Sequence, residues 1–301
     1  MKKIITLILI LTVTSTLFCA CNRSQAVMYQ TYNSYISDIA NDGVLSSAEV
    51  SFWDSCSWKD EEFTNTIHTV EFNGITYSGV YKSSTIDNYN SYISDTYMTE
   101  EMYQFSVRRD TKELIHINFV SQKFLAAERL LEDVSDPEAT AQSIAKQIAS
   151  QYLTNPNSYK ISIGDTKTVS GSGSNDSKPF TIHYVTFAKE HFGYESSDYM
   201  TVRVTSKGHI LSVNIHDIGV FDDKNINVDT ALLEKSISEK VASTYAQTNF
   251  TVTNYTVERQ ILCISTENEI CICSSIKVSL LMDDSIEMES GILIVTTIGK
   301  L

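Results

Sequence analysis

Residues 143–152 read SIAKQIASQY and residues 236–245 read SISEKVASTY, and the fold turns on how this pair is read. Ser, Ile, Ala, Ser and Tyr recur in register, and Val241 answers Ile148. In the first copy Ala141, Ile144, Ala145, Ile148 and Tyr152 form one apolar stripe at helical spacing. Ser135 and Glu138 fit a capping box, with Pro137 in the first turn. In the second copy Leu233, Ile237, Val241 and Tyr245 draw the same stripe, with Asp229 or Asn227 available as cap. Each segment therefore predicts a helix with one face to bury.

What precedes each helix also recurs. ELIHINF (113–119) and HILSVNI (209–215) share two apolar residues, an aliphatic, Asn and a final apolar residue. Alternating strands lie upstream, Tyr103–Val107 and Met200–Val204, and the short turns RRDTK and TSKG join strand to strand. Further upstream YISDTYMT (92–99) resembles YESSDYMT (194–201). After the second helix, 255–265, 270–282 and 286–298 read as three more strands. Phe72-Asn73-Gly74-Ile75 is a type I′ hairpin signal. The expected fold class is α+β: about three tandem units, each one helix packed on a three-stranded antiparallel sheet. The expected division is a signal over 1–20, a tether with a first helix (25–41) and first sheet unit over 21–134, a second unit over 135–226 and a third over 227–301. SGSGSNDS (170–177) reads as a loop between strands of one unit. The peptide YNSYISD occurs at 32–38 and at 89–95, helical in the first setting and between strand signals in the second. One peptide in two conformations is the reading, since context overrides local propensity.

The N-terminus, MKKIITLILILTVTSTLFCAC, has Lys2 and Lys3 followed by an uncharged, mostly apolar run from Ile4 to Phe18. Its aliphatic core, Ile4 to Val13, is too short to cross the roughly 30 Å of hydrocarbon in a bilayer, which suits a removable signal. Leu17-Phe18-Cys19-Ala20-Cys21 resembles the bacterial lipobox, and the matching cysteine is Cys21, after the small Ala20. That resemblance implies a fatty-acylated Cys21, a lipid bilayer as first partner, and a body on the extracytoplasmic face of the cell membrane.

Of 23 basic residues Lys2 and Lys3 leave with the signal, so 21 face 37 acidic ones, a mature net charge of −16. Such a body is repelled by nucleic acid and by anionic headgroups. Cys56, Cys263, Cys271 and Cys273 remain after Cys21. Cys263 and Cys271 flank a short turn in ILCISTENEICIC, where they are a candidate hairpin disulfide; free thiols packed as small hydrophobes fit equally.

ELIHINF and HILSVNI, each followed by its SI-x-x-x-[IV]-AS-x-Y helix, resemble the PepSY-like and cystatin-like modules of secreted bacterial lipoproteins. The resemblance covers roughly residues 65–301. It implies a helix packed on a small antiparallel sheet and a binding or inhibitory role outside the cell, and it supplies no catalytic residue.

Motifs that carry chemistry are scarce. None of His68, His116, His183, His191, His209 and His216 lies in HExxH or pairs with cysteine at zinc spacing. His116 alternates with Ile115 and Ile117 and so points away from them. Asp222-Asp223 and Asp283-Asp284 lack the spacing of a calcium loop and read as turn charge. No metal and no cofactor is expected. Phe52, Trp53 and Trp58, in SFWDSCSWKDEEF, are the candidate ligand surface, unless they cover the first unit's core or edge. The function expected is a non-enzymatic binding or inhibitory module for an envelope protein, a peptide or a cell-wall polymer. The alternative is an envelope hydrolase whose site gathers dispersed histidines and carboxylates.

Overall fold

The computed structural model describes residues 57–87, 89–164, 166–169, 179–246, 248–282 and 286–301. The signal, Cys21, the 25–41 helix, the first YNSYISD, Phe52, Trp53, Cys56, the 170–177 loop and Asp283-Asp284 lie outside them. The chain runs β1 (Ser57–Trp58), β2 (Ile67–Phe72), β3 (Ile75–Ile86), β4 (Ile93–Met98), β5 (Gln104–Arg108), β6 (Leu114–Asn118), α1 (Gln122–Glu128) and α2 (Pro137–Tyr152). It continues β7 (Lys160–Ile163), β8 (Lys167–Val169), β9 (Phe180–His191), β10 (Tyr194–Thr205), β11 (Ile210–His216), α3 (Thr230–Tyr245), β12 (Phe250–Ile264), β13 (Glu269–Met282) and β14 (Ile286–Lys300).

The α+β reading of three separate helix-on-sheet units is wrong. The described strands belong to one mixed sheet of fourteen, in the order β1-β3-β4-β5-β6-β11-β10-β12-β13-β14, with β2 on β3 and β7, β8 and β9 beside β10. The reason is the edges. A short sheet ends in unpaired backbone donors and acceptors, and these are satisfied by pairing with the next unit. β6 pairs antiparallel with β11 through Ile117↔Val213 and His116↔Asn214. β12 pairs parallel with β10 at Glu195↔Ile261 and Ser196↔Leu262. Residue alternation encodes which face is buried and is silent about which edge is joined.

The core follows the same fusion. Phe105, Val107 and Ile117 of the early strands share one cluster with Val185, Phe187, Val202 and Val213. Ala141, Ala145, Ile148 and Ala149 of α2 lie in that cluster, so one helix covers strands from two supposed units. A second cluster joins Leu233, Ile237, Val241 and Tyr245 of α3 to Leu262, Ile272 and Ile294 of the last three strands. The caps differ in one detail. Asp136, not Ser135, caps α2 by accepting from the Ala139 N–H, while Asp229 caps α3 by accepting from Leu232. The β2–β3 turn has φ of 51° at Asn73 and 74° at Gly74, the positive pair that a type I′ hairpin requires.

The likeness between 92–99 and 194–201 is not a structural repeat. The first segment ends at a turn into β5, whereas the second runs on within β10, next to β11.

Candidate functional site

Alternation gives the central strands two unlike faces. One carries the large aliphatic and aromatic core beneath α2. On the other, Thr96, Ser106, His116, Asn214, Thr201, Thr186 and Ser162 stand directly opposite one another across β4, β5, β6, β11, β10, β9 and β7. Neighbours in this row bond in pairs: Thr96 to Ser106 at 2.8 Å, His116 Nδ1 to Asn214 Oδ1 at 2.5 Å, and Thr186 to Thr201 at 3.1 Å. Burial, helped by Arg203 and His216, holds His116 below its ordinary value despite the Asn214 bond, so its ring is neutral at pH 7.

The second YNSYISD lies against this polar side of the sheet and explains its own composition. Asp87 Oδ1 accepts from the N–H groups of Tyr89 and Asn90, which closes the loop. Ser91 takes a φ of 56°, and its hydroxyl donates to the carbonyls of Ile264 and Ser265. Tyr89 accepts from the Ile264 N–H, and the Asn90 amide reaches the Ser197 carbonyl. Tyr92 bonds His216 Nδ1 at 2.7 Å, and Tyr199 stacks on the same imidazole with centroids 4.6 Å apart. The peptide thus staples the early strands to β10 and β12.

Between this loop and β7, β9, β10 and β12 lies a cleft of about 380 Å³. Three hydroxyls of the polar row, Ser162, Thr186 and Thr201, form one wall; Tyr89 and Tyr199 supply aromatic surface. Glu195 and Arg259 complete it as an ion pair, Nη2 to Oε2, 2.7 Å long. Burial pushes the Tyr199 hydroxyl up to about 12 and raises that of Tyr89 as well, so both phenols keep their protons. The cleft therefore offers neutral donors and acceptors, two aromatic rings and one paired charge of each sign. Ligand sites combine apolar surface with a few placed polar groups in this way.

The residues singled out from the sequence fall elsewhere. Trp58, on β1 opposite Ser84, lies 6.0 Å from the Arg109 guanidinium, which also sits 4.6 Å from the Phe63 ring. It covers a charged network at the sheet end and does not border the cleft. Cys263 and Cys271 are register partners on the β12–β13 hairpin; both are buried free thiols, and Cys273 is buried beside them. Burial raises Cys263 well above its usual range and Cys271 to about 11, which keeps the thiols protonated. His116 and His216 share the polar face, with His216 3.4 Å from Asp87, and the other four histidines are dispersed. His68 packs on Tyr97, His209 pairs with buried Glu128, His183 is buried in β9, and His191 lies near Asp198 and Asp222. Neither the cleft nor a second hollow of about 470 Å³ beside Tyr152 and Lys112 has a histidine in its wall.

The cleft escaped sequence reading because its hydroxyls come from three strands whose pairing alternation does not fix. Thr201 and Thr186 look like ordinary strand residues until β9 and β10 are set in register. Compared with protein-family models, with curated proteins and with solved structures, the chain matches none.

Proposed function

We propose that this chain is a lipid-anchored extracytoplasmic protein whose body is a non-enzymatic binding module, and that it takes a hydroxyl- and amide-bearing cell-wall polymer in the cleft of Tyr89, Thr186, Thr201 and Tyr199. The observation that carries the reading is the wall chemistry: aligned hydroxyls beside aromatic rings, with no histidine. A folded protein partner would need roughly 800 Å² of matched surface on each side, whereas a cleft of this size takes one or two units of a chain. The hydrolase alternative needs two histidines converging with a carboxylate on a cleft, and the six described histidines do not gather there. The anchor rests on Lys2, Lys3, the apolar run and Cys21; among the described residues no helix is long and apolar enough to cross a membrane.

The two halves of the reading are tested separately. With Cys21→Ser the chain is expected to lose fatty acylation and keep its uncleaved N-terminus, read by mass spectrometry and fatty-acid labelling; a parent chain without acyl groups, or unchanged processing of the variant, removes the anchor. Replacing Thr186 and Thr201 together by Val deletes both partners of one hydrogen bond, which leaves neither unsatisfied and so alters stability little. The hydroxyls offered to a ligand are lost all the same. Retention of the full chain by isolated wall polymer is expected to fall by about tenfold, the worth of one or two hydrogen bonds. Full retention by the double variant would place binding outside the cleft.

A further inference from the structure

At the end of the β9–β10 hairpin, outside the cleft walls, three donors converge: His191 of β9, Asp198 of β10 and Asp222 of the segment leading to α3. Their donor atoms all lie within 4.8 Å of one another. His191 Nε2 is 3.7 Å from Asp198 Oδ2 and 3.6 Å from Asp222 Oδ1. These separations exceed hydrogen-bonding range, so the imidazole does not donate to either carboxylate.

The decisive group is Asp198. It is 0% exposed, and its Oδ2 has no hydrogen-bond partner among the described residues. Nor does the buried His191 Nε2 that it faces. Only Oδ1 is engaged, accepting from the Ile218 N–H at 3.4 Å. A buried carboxylate oxygen and a buried imidazole nitrogen aimed at the same point are an unfavourable pair unless something bridges them.

The backbone builds this convergence. The β9–β10 register shifts between Glu195 and Tyr199, and the Ser196 hydroxyl, which donates to the Lys189 carbonyl, also accepts from the Asp198 N–H. Strand alternation puts Asp198 on the buried face with Met200, Val202 and Val204, and the bulge holds its backbone there. Asp222 is presented by a turn at Gly219, whose φ is +59° and where a Cβ would come within 3.1 Å of Asp222 Oδ2. Phe221, fully buried, packs its ring 5.8 Å from His191 and fixes the turn against the hairpin.

We propose that His191, Asp198 and Asp222 form a binding site for a transition-series divalent cation of the zinc or manganese kind. One imidazole with two carboxylates suits those ions, whereas calcium and magnesium prefer oxygen alone. At ordinary bond lengths of about 2.0–2.2 Å the donors must close to roughly 3–3.5 Å, a few tenths of an ångström for the two His191 pairs and up to about 1.5 Å between the carboxylates, which a rotation of the exposed Asp222 side chain supplies. Lys189 Nζ now lies 2.5 Å from Asp222 Oδ1 and competes for that oxygen; it also sits 5.7 Å from the Tyr159 ring, a cation–π position to which it can retire. The bound ion ties the β9–β10 hairpin to the segment entering α3. It acts as a structural clip, and solvent fills the remaining positions.

The test uses the full chain in detergent after chelator treatment and removal. Titration with Zn²⁺ and Mn²⁺, followed calorimetrically and by thermal unfolding, is expected to give one site per chain and a raised Tm, while Ca²⁺ and Mg²⁺ give neither. His191→Gln and Asp198→Asn are each expected to weaken binding by about 100-fold or more, with Tm shifts measured against each variant's own metal-free state. Lys189→Met, which removes the competing ammonium, is expected to tighten it by about tenfold. Absence of a Zn²⁺ or Mn²⁺ shift at millimolar metal, or a shift retained in both His191→Gln and Asp198→Asn, overturns the proposal.

Discussion

Asp95→Ala is expected to destabilise the protein by about 3–5 kcal/mol, the loss typical of breaking a buried ion pair from one side. Asp95 is 0% exposed on β4, opposite Val107 on the core face of the sheet. Its carboxylate accepts from the Ser84 hydroxyl at 2.8 Å, and from Arg109 Nε at 3.1 Å and Nη2 at 2.7 Å. Arg109 also reaches Asp60 at 2.9 Å, and the Tyr81 hydroxyl joins through Ser84. The hydrogen bonds that Arg109 donates to Asp95 raise it above its ordinary value, burial opposing them, so the guanidinium is charged throughout. Removing Asp95 leaves that charge half-buried beneath Trp58 and Phe63 with Asp60 as its remaining anion. The loss is read as a lower urea midpoint at unchanged slope. Pairing the change with Arg109→Leu is expected to recover a large part of it, since the unmatched charge goes too. A loss below about 1 kcal/mol would mean that the network behaves as a surface pair.

That network also shows how far the sequence could be read. Arg109 was legible only as part of the RRDTK turn and Asp95 only as part of a repeated peptide; nothing in their spacing paired them. Local features were legible because they are decided locally: the Asn73-Gly74 turn, the stripe Leu233, Ile237, Val241 and Tyr245 that is wholly buried, and the alternation that turns His116 away from Ile115 and Ile117. What failed was long-range. The units merge because β6 meets β11 and β12 meets β10, and edge pairing leaves no periodicity in the chain. The helix α1 and the short strands β7 and β8 escaped for want of length: 3–7 residues carry too little pattern to distinguish from a loop. Asp198 was hidden for a further reason. It shares the alternation of buried Met200, Val202 and Val204, but the meeting with His191 and Asp222 depends on the β9–β10 register and on the turn before α3, which leave no spacing in the chain.

Asp198→Asn is expected to stabilise the metal-free protein at pH 7 by about 2–3 kcal/mol, against the usual direction of a buried substitution. Burial pushes the Asp198 carboxyl from its ordinary 3.8 up to about 6, and Asp217 and Asp222 push the same way while Lys189 and the Ile218 N–H oppose them. The sign follows from proton counting. Between about pH 4 and 6 the folded chain holds a proton that the unfolded chain has released, so stability falls as pH rises through that window and is flat beyond it. Two units at about 1.4 kcal/mol each give the full penalty near neutrality. Asn carries no charge, its Oδ1 keeps the Ile218 N–H, and its amide donates towards His191 Nε2, which burial keeps neutral and able to accept. At pH 4 the variant and the parent are therefore expected to coincide, and at pH 7 to differ most, in urea unfolding with chelator present. Equal loss of stability at both pH values would mean that the carboxylate is matched by an anion-binding environment, and the raised proton affinity would be wrong. If the variant does gain stability, the native acid is at neutral pH a liability that a cation between Asp198, His191 and Asp222 relieves, and the same substitution that strengthens the metal-free fold abolishes the response to metal.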